Sequence, residues 1–398
     1  MPPIAHIAGT NGKGSTCAFI KAIAEANGER VHVYSSPHLV RFNERIVLAG
    51  HMVSDTALID AFARCEAAND GAPITFFEIT TAAAFLLFSE TQADRLILEV
   101  GLGGRFDATN IIERPVVTAI TPVSLDHQDF LGDTLSLIAP EKAGILKPHI
   151  PAVIGPQPRE AEEAILRIAE KVSAPTALWG RDYRAYGEHD RLVYEEDSLV
   201  WDLPRPNLLG EHQIINAGVA IAAARAMSLP EAAARHGIAK ANWPARLQRL
   251  TAGPLADMAR ENGAELWLDG GHNPAAGIAL SRAMADLETR DPRPLVLICG
   301  FSPKKDIAGY LTAFSGLANR LIAVPFATGR DGSVPADTVA KTAESLGLDA
   351  VTASGIKSAI KNATQNQPPA RILICGSLYL AGEVLALSDG IRPQSTPG

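Results

Sequence analysis

Hydrophobic residues in the first part of the chain come in short unbroken runs, separated by longer stretches where they recur every third or fourth place. Short runs of β-branched and apolar residues read as strands buried on both faces, and the spaced stretches as helices. The pattern predicts strands at 4–8, 31–35, 96–100, 116–120 and 152–154, and helices at 15–27, 80–90 and 135–146. Residues 183–203 behave differently. Apolar and polar positions alternate there around an acidic turn, Glu195-Glu196-Asp197, which predicts a small antiparallel hairpin decorating the first domain. An alanine-rich helix is expected over 213–227. Proline then interrupts the pattern at Asn242-Trp243-Pro244-Ala245-Arg246, and the alternation restarts with strands at 266–268, 295–299, 321–324 and 372–375. Strand-helix alternation implies an α/β fold with mainly parallel sheets covered on both faces. The expected division is a larger domain over 1–241, a hinge at 242–246, and a smaller α/β domain over 247–398 with a disordered tail from Pro393.

Length agrees with two domains, since 398 residues at 47% hydrophobic content exceed one ordinary core. A net charge of −8 argues against a nucleic-acid surface. No apolar run approaches a membrane span, and Met1-Pro2-Pro3 leads straight into a strand, so no membrane partner or leader is expected. Cys17, Cys65, Cys299 and Cys375 lie far apart in apolar segments without a CxxC pair, which fits reduced thiols in a cytoplasmic protein.

The chemistry begins at Gly9-Thr10-Asn11-Gly12-Lys13-Gly14-Ser15-Thr16, between the first strand and the first helix. Glycines let backbone N–H groups approach phosphate oxygens, a helix N-terminus adds positive potential, and Lys13 neutralises charge. A bare glycine turn would need neither the lysine nor the hydroxyl pair. The spacing departs from the common phosphate-loop pattern: two residues separate Gly9 from Gly12, and Gly14 stands where Ser or Thr usually follows the lysine.

Those departures resemble the Mur ligase superfamily, and glycine after the lysine resembles its folate branch, the folylpolyglutamate and dihydrofolate synthases. Further motifs follow in the same order: Ser35-Ser36-Pro37-His38-Leu39 with Arg41 to Ile46, Thr75-Phe76-Phe77-Glu78-Ile79-Thr80, Leu98 to Arg105, Asp107-Ala108-Thr109-Asn110 and Leu125-Asp126-His127-Gln128. Glu141-Lys142-Ala143-Gly144-Ile145, Trp243-Pro244-Ala245-Arg246-Leu247, Asp269-Gly270-Gly271-His272-Asn273-Pro274 and Gly376-Ser377-Leu378-Tyr379-Leu380 complete a resemblance that covers nearly the whole chain. Two departures stand out. The family has a helical segment ahead of the phosphate loop, whereas the strand here starts at Ile4, so either the start is misassigned or a piece that helps wall the pterin side is lacking. In Phe301-Ser302-Pro303-Lys304-Lys305-Asp306 only Lys305 and Asp306 match the family run.

The resemblance implies a Mur-ligase-type ATPase domain followed by a smaller Rossmann-like domain. It also implies an ATP-dependent ligase that activates a folate or dihydropteroate carboxylate as an acyl phosphate and joins it to L-glutamate, acting as both dihydrofolate synthase and folylpolyglutamate synthase. Implied catalytic residues are Lys13, Glu99, His127 and Lys142. Implied metal ligands are Ser15, Ser36, Glu99, His127 and Lys142 if carbamylated, holding two Mg2+, with a monovalent cation such as K+ as a further possibility. Implied ATP contacts are Asn11, Gly12, Lys13, Gly14, Ser15, Thr16, Asn216, Arg246, Asp269 and His272. Thr75, Phe76, Phe77, Glu78, Phe106, Asp107 and Ala108 are implied on the pterin side, and Ser377 and Tyr379 on the glutamate side. Read without the resemblance, Lys142 is a surface lysine, Arg246 a linker ion pair, the aromatics are equally core or ligand contacts, and a strand-to-helix turn explains Gly376-Ser377 almost as well. Only Glu99, ending a strand before Gly-Leu-Gly-Gly, favours function by siting alone. The implied partners are small molecules and the implied state a monomer. The competing readings are a folylpolyglutamate synthase alone, a peptidoglycan Mur ligase, and a degenerate nucleotide-binding scaffold.

Overall fold

The computed structural model describes residues 1–329, 332–365 and 369–394. They form two compact units. The first comprises Met1–Pro37, Asn43–Asn207 and Glu211–Trp243; the second takes His38–Phe42, Leu208–Gly210 and the described residues from Pro244 onward. The expected division ran continuously from 1 to 241, so the two short segments that join the second unit are a difference.

The sheet of the first unit contains β1 (Ile4–Ala8), β2 (Val31–Tyr34), β3 (Ile46–Leu48), β4 (His51–Met52), β5 (Arg95–Glu99), β6 (Val117–Ile120), β7 (Ala152–Ile154) and β8 (Thr176–Leu178). Its order is β4-β3-β2-β5-β1-β6-β7-β8. The six strands from β2 to β8 are parallel; β3 and β4 add an antiparallel edge. Every residue of β1, β2, β6 and β7 is buried, which is why these strands read as mostly apolar runs, broken only by the buried polar His6, His32 and Thr118.

Residues 183–204 form three strands rather than a hairpin: β9 (Tyr183–Glu188), β10 (Arg191–Glu196) and β11 (Leu199–Pro204). Glu195 and Glu196 are not turn residues but end β10, where Arg184 and Arg225 pair with them. The neutralising partners lie outside the acidic triplet, so the triplet by itself looks like a turn.

The second unit has β12 (Gln248–Leu250), β13 (Glu265–Leu268), β14 (Leu295–Cys299), β15 (Ala318–Ala323), β16 (Ala350–Thr352) and β17 (Arg371–Cys375), in the order β12-β13-β17-β14-β15-β16. All neighbours are parallel except β12 with β13. Alternate residues face opposite layers. Val296, Ile298, Ile372 and Ile374 pack with Leu255, Ile360 and Leu380, while Leu297, Cys299, Leu373 and Cys375 pack with Leu280, Tyr310 and Phe314.

The tail is less loose at its start than expected. Gln394 donates its N–H to Val40 O at 2.8 Å, accepts Phe42 N–H on Oε1 at 2.7 Å, and lies 3.1 Å from His38 Nε2 through its carbonyl. The rest of that expectation, 395–398, lies outside the described residues. Among the described residues, no helix is long and apolar enough to cross a membrane.

Candidate active site

The phosphate loop leaves β1 and is tied to the segment after β6. Thr10 and Asn11 donate their backbone N–H to Pro122 O at 3.1 and 3.3 Å. Thr10 Oγ1 donates to Ser124 O and accepts from Ser124 N, both at 3.0 Å. The helix Lys13–Ala26 starts behind Gly12, which has φ 88° and supplies no side-chain cap. Its first-turn N–H groups therefore have no capping side chain, and an anion suits that end.

Gly12 also lies against Asn216, whose amide would collide with any Cβ there. Asn216 is buried and donates to Gln213 Oε1 at 3.0 Å, so it supports the loop from below. At Gly14, a Cβ would stand 2.7 Å from Trp243 Nε1. The residue that departs from the common loop pattern is thus fixed by the indole packed on it.

Ser15 and Thr16 follow. Both hydroxyls are buried and have no hydrogen-bond partner. Orphaned buried hydroxyls are costly, so two of them in succession behind an uncapped helix start point to an absent ligand. Lys13 Nζ donates to Gly9 O at 3.1 Å and Thr10 O at 3.2 Å. Lys142 Nζ reaches the same Gly9 carbonyl at 3.0 Å from the helix Leu135–Ala143. Lys142 is only 4% exposed, which rules out a surface lysine. Burial pushes its pKa down to about 7, and the Lys13 charge adds to this while Asp126 opposes it.

Glu99 ends β5, is buried, and accepts Ser36 N–H at 3.3 Å. Burial first and the Glu99 carboxylate second push the Cys17 thiol up, against Lys13. His127 is exposed, in left-handed conformation at φ 53°, and its N–H closes on Asp126 Oδ1 at 2.9 Å. Among the described residues, no group of three or more His, Cys, Asp or Glu could hold a metal. By donor chemistry, the buried Ser15 hydroxyl and Glu99 carboxylate are hard oxygens of the kind a magnesium-like ion takes together with phosphate and water.

The motif residues after Glu99 dock onto the Lys142 helix. Arg105 N donates to Glu141 O at 2.8 Å, and Asn110 Nδ2 bridges Arg105 O and Gly144 O at 3.0 and 3.1 Å. Asp107 stitches this loop: Oδ2 accepts Leu102 N–H at 2.9 Å, and Oδ1 accepts Thr109 Oγ1 at 2.5 Å and Thr109 N at 3.0 Å. Behind it, His6 in β1 lies 2.9 Å from Thr109 Oγ1. The Thr109 proton goes to the carboxylate, so His6 must donate from Nε2. Its Nδ1 is then a bare acceptor, buried without a partner. Burial, aided by Lys147, lowers the His6 pKa to about 3.

On the pterin-side motif, Thr75 and Glu78 form a capping box that starts the helix Phe76–Glu90. That structural task accounts for both residues. Phe76 lies 5.8 Å under the Arg45 guanidinium, Phe77 lies near Tyr34 with ring centroids 6.1 Å apart, and Phe106 is 83% exposed with Arg105 over its ring. An aromatic so exposed is no core residue. Ala108 opens the short helix Ala108–Ile111.

In the second unit, Asp269 directly follows β13 and uses both oxygens on backbone, taking Leu247 N at 2.7 Å and Gly271 N at 2.6 Å. Arg246 Nη1 donates to Ala245 O at 3.0 Å, and His272 Nδ1 to Gly270 O at 2.9 Å. Ser377 caps the helix Leu378–Asp389, accepting Tyr379 N–H at 3.1 Å. A cleft of about 610 Å³ lined by Phe326, Ile356, Lys357, Glu383 and Leu387 contains none of the residues singled out from the sequence.

Residues 7–224 match the model of the Mur ligase middle domain, and 254–387 that of the dihydrofolate synthetase C-terminal domain. The dihydrofolate synthase/folylpolyglutamate synthase of Escherichia coli (strain K12) is 34% identical over 394 residues, covering 98% of this chain and 88% of the relative. The chain belongs to the dihydrofolate synthase/folylpolyglutamate synthase family. The folylpolyglutamate synthase of Lacticaseibacillus casei is also 34% identical, over 95% of this chain and 88% of its own. Among solved structures of the family, E. coli FolC in complex with DHPP and ADP has a TM-score of 0.87 at 31% identity, covering 98% of this chain and 89% of that one. A bifunctional folylpolyglutamate synthase/dihydrofolate synthase with Mn, AMPPNP and L-glutamate bound gives 0.85 at 32%, covering 97% and 89%. Members of this family are ATP-dependent ligases, and the structures show that they bind nucleotide and a divalent metal.

Proposed function

We propose that the chain is a bifunctional ligase that extends both dihydropteroate and reduced folates with L-glutamate at the expense of ATP. One observation carries the ATP half: the consecutive unpartnered hydroxyls of Ser15 and Thr16 behind an uncapped helix start, with Lys13 and Lys142 at the Gly9 carbonyl.

The chemistry follows from charge. A carboxylate is a poor acyl donor, and its approach to the γ-phosphate brings like charges together. Lys13 and the first-turn N–H groups neutralise and align the polyphosphate. An oxygen of the carboxylate attacks the γ-phosphorus, the bond to the bridging oxygen breaks, and ADP leaves. The amine of L-glutamate then attacks the acyl carbon, loses a proton, and expels phosphate. Magnesium, held by Ser15 and Glu99 with Ser36 and His127 beside them, would supply further charge neutralisation.

Lys142 is read as the ligand of a second magnesium after carbamylation. A neutral amine attacks carbon dioxide, the new N–C bond forms, and the lost proton leaves an anionic carbamate. Burial beside Lys13 makes the neutral amine accessible near neutral pH, and a raw ammonium would repel a dication. K+ is a further candidate ion, and a cytoplasmic monomer completes the reading. Phe76, Phe77 and Phe106 are read as the aromatic contacts of the pterin; Arg246, Asp269 and His272 as nucleotide contacts; Ser377 and Tyr379 as glutamate contacts.

ADP release with L-glutamate and, in turn, dihydropteroate, tetrahydrofolate or a muramyl peptide tests the proposal. Release with both pteridines and not with the peptide is expected. Release with tetrahydrofolate alone removes the synthase half, and release only with the peptide replaces the reading by a peptidoglycan ligase.

A further inference from the structure

Tyr379 stands two residues past the strand-to-helix turn, and one helical turn further on the same helix is Glu383. Positions four apart share a helix face. Glu383 Oε1 accepts the backbone N–H of Ala327 at 2.7 Å and of Thr328 at 2.8 Å, with Thr328 Oγ1 at 3.0 Å. Thr328 Oγ1 is also 3.1 Å from Tyr379 O, so this short segment is fastened to both ends of that helical turn. The next residue, Gly329, lies directly on the tyrosine ring. It has φ +100°, and a Cβ built there would stand 2.9 Å from Tyr379 Cδ2 and 3.0 Å from Cγ. The segment begins at a fixed base, because Phe326 N donates to Ser333 Oγ at 3.1 Å and Val334 N to Phe301 O at 2.8 Å.

A carboxylate taking two backbone N–H groups is the strong form of loop anchor. Here the anchored backbone is what holds the face of Tyr379. We propose that Glu383 is a positioning residue for the amino-acid subsite: it fixes Ala327–Thr328–Gly329 against the Tyr379 ring and so sets how the incoming glutamate is held. The inference rests on the reading of Ser377 and Tyr379 as the glutamate side. The anchor, the segment and the ring all belong to the second unit.

The test is steady-state kinetics on the full chain. Glu383→Ala is expected to raise KM for L-glutamate about tenfold, the scale of one or two lost charge-assisted anchors, with KM for ATP and kcat within about twofold. Glu383→Gln keeps an acceptor oxygen and is expected to recover most of that loss. Gly329→Ala, which presses on the ring without touching the anchor, is expected to raise the same KM. Tyr379→Ala separates the two layers of the argument. If Tyr379→Ala raises KM for glutamate and Glu383→Ala does not, the positioning role is wrong while the subsite stands. If neither moves it, the subsite reading fails and takes the inference with it. A Glu383→Ala variant that lowers kcat and raises both KM values together has a general structural role, and the proposal is overturned.

Discussion

Lys142 and Gly14 show how much of this site is decided by single neighbours. Lys142 sits in the interior with its ammonium on a carbonyl and a second lysine beside it, an arrangement that favours the uncharged amine. In Lys142→Ala the ligation rate is expected to fall by about a hundredfold or more, the usual loss when one charge-stabilising group is removed. Intact mass of the active wild type should show an added carboxyl group that is missing from the variant. If the active wild type carries none, the carbamate is wrong. At Gly14 even a methyl group meets the Trp243 indole. Gly14→Ala must shift the loop or the ring, so KM for ATP should rise about tenfold, as expected for overpacking by 1–2 kcal/mol. An unchanged KM would mean that the indole moves freely.

Elements carry the next layer, and β1 is the most instructive. Its His6 is neutral when folded, with a pKa near 3, and titrates at the usual 6.5 when unfolded. Between those values the unfolded chain binds more protons, so stability is full above pH 6.5 and is lost as pH falls toward 3. His6→Gln should flatten that acid limb of a melting-temperature profile; an unaltered limb would assign acid sensitivity to other groups. Most of the parallel core was legible from sequence because buried strands such as β1, β2 and β7 are mostly apolar runs with at most one polar residue. Short strands such as β3, β4, β12 and β16 have two or three residues each and carry no period to read. The helix Asp55–Asn69 escaped for another reason: it buries only Leu58 and Ala61, so its apolar stripe is faint. Motif order singled out the site residues, but not their tasks. Thr75 and Glu78 cap a helix, Asp107 stitches a loop, and His6 backs it. The first two roles rest on partners within five residues, local patterns that a motif order does not interpret, whereas the His6 role rests on Thr109, 103 residues away, and Glu383 was invisible because its partners are mostly backbone groups.

At the scale of the whole molecule, the chain is divided less simply than its hydrophobic pattern suggests. Residues 38–42 belong to the second unit, where Gln394 bonds to three of them, although they follow Ser36 and Pro37 of the first. The link between units is therefore not confined to the proline-containing stretch near 244. Gln394→Ala removes the acceptor for the Phe42 amide and should speed hydrogen exchange there, with little change at the phosphate-loop amides. Equal exchange at Phe42 in both proteins would show that the segment is held by other contacts.

The indole that excludes a side chain at Gly14 also makes the phosphate loop visible by optical means. The chain has four tryptophans, and Trp179, Trp201 and Trp267 lie elsewhere, packed against Tyr183, Tyr194 and Arg249. Trp243 stands against Gly14 in the phosphate loop. Its emission should change when ADP binds, and Trp243→Phe should abolish that change while ADP still binds by calorimetry. The protein thus carries a built-in fluorophore for following nucleotide loading in real time, without a label.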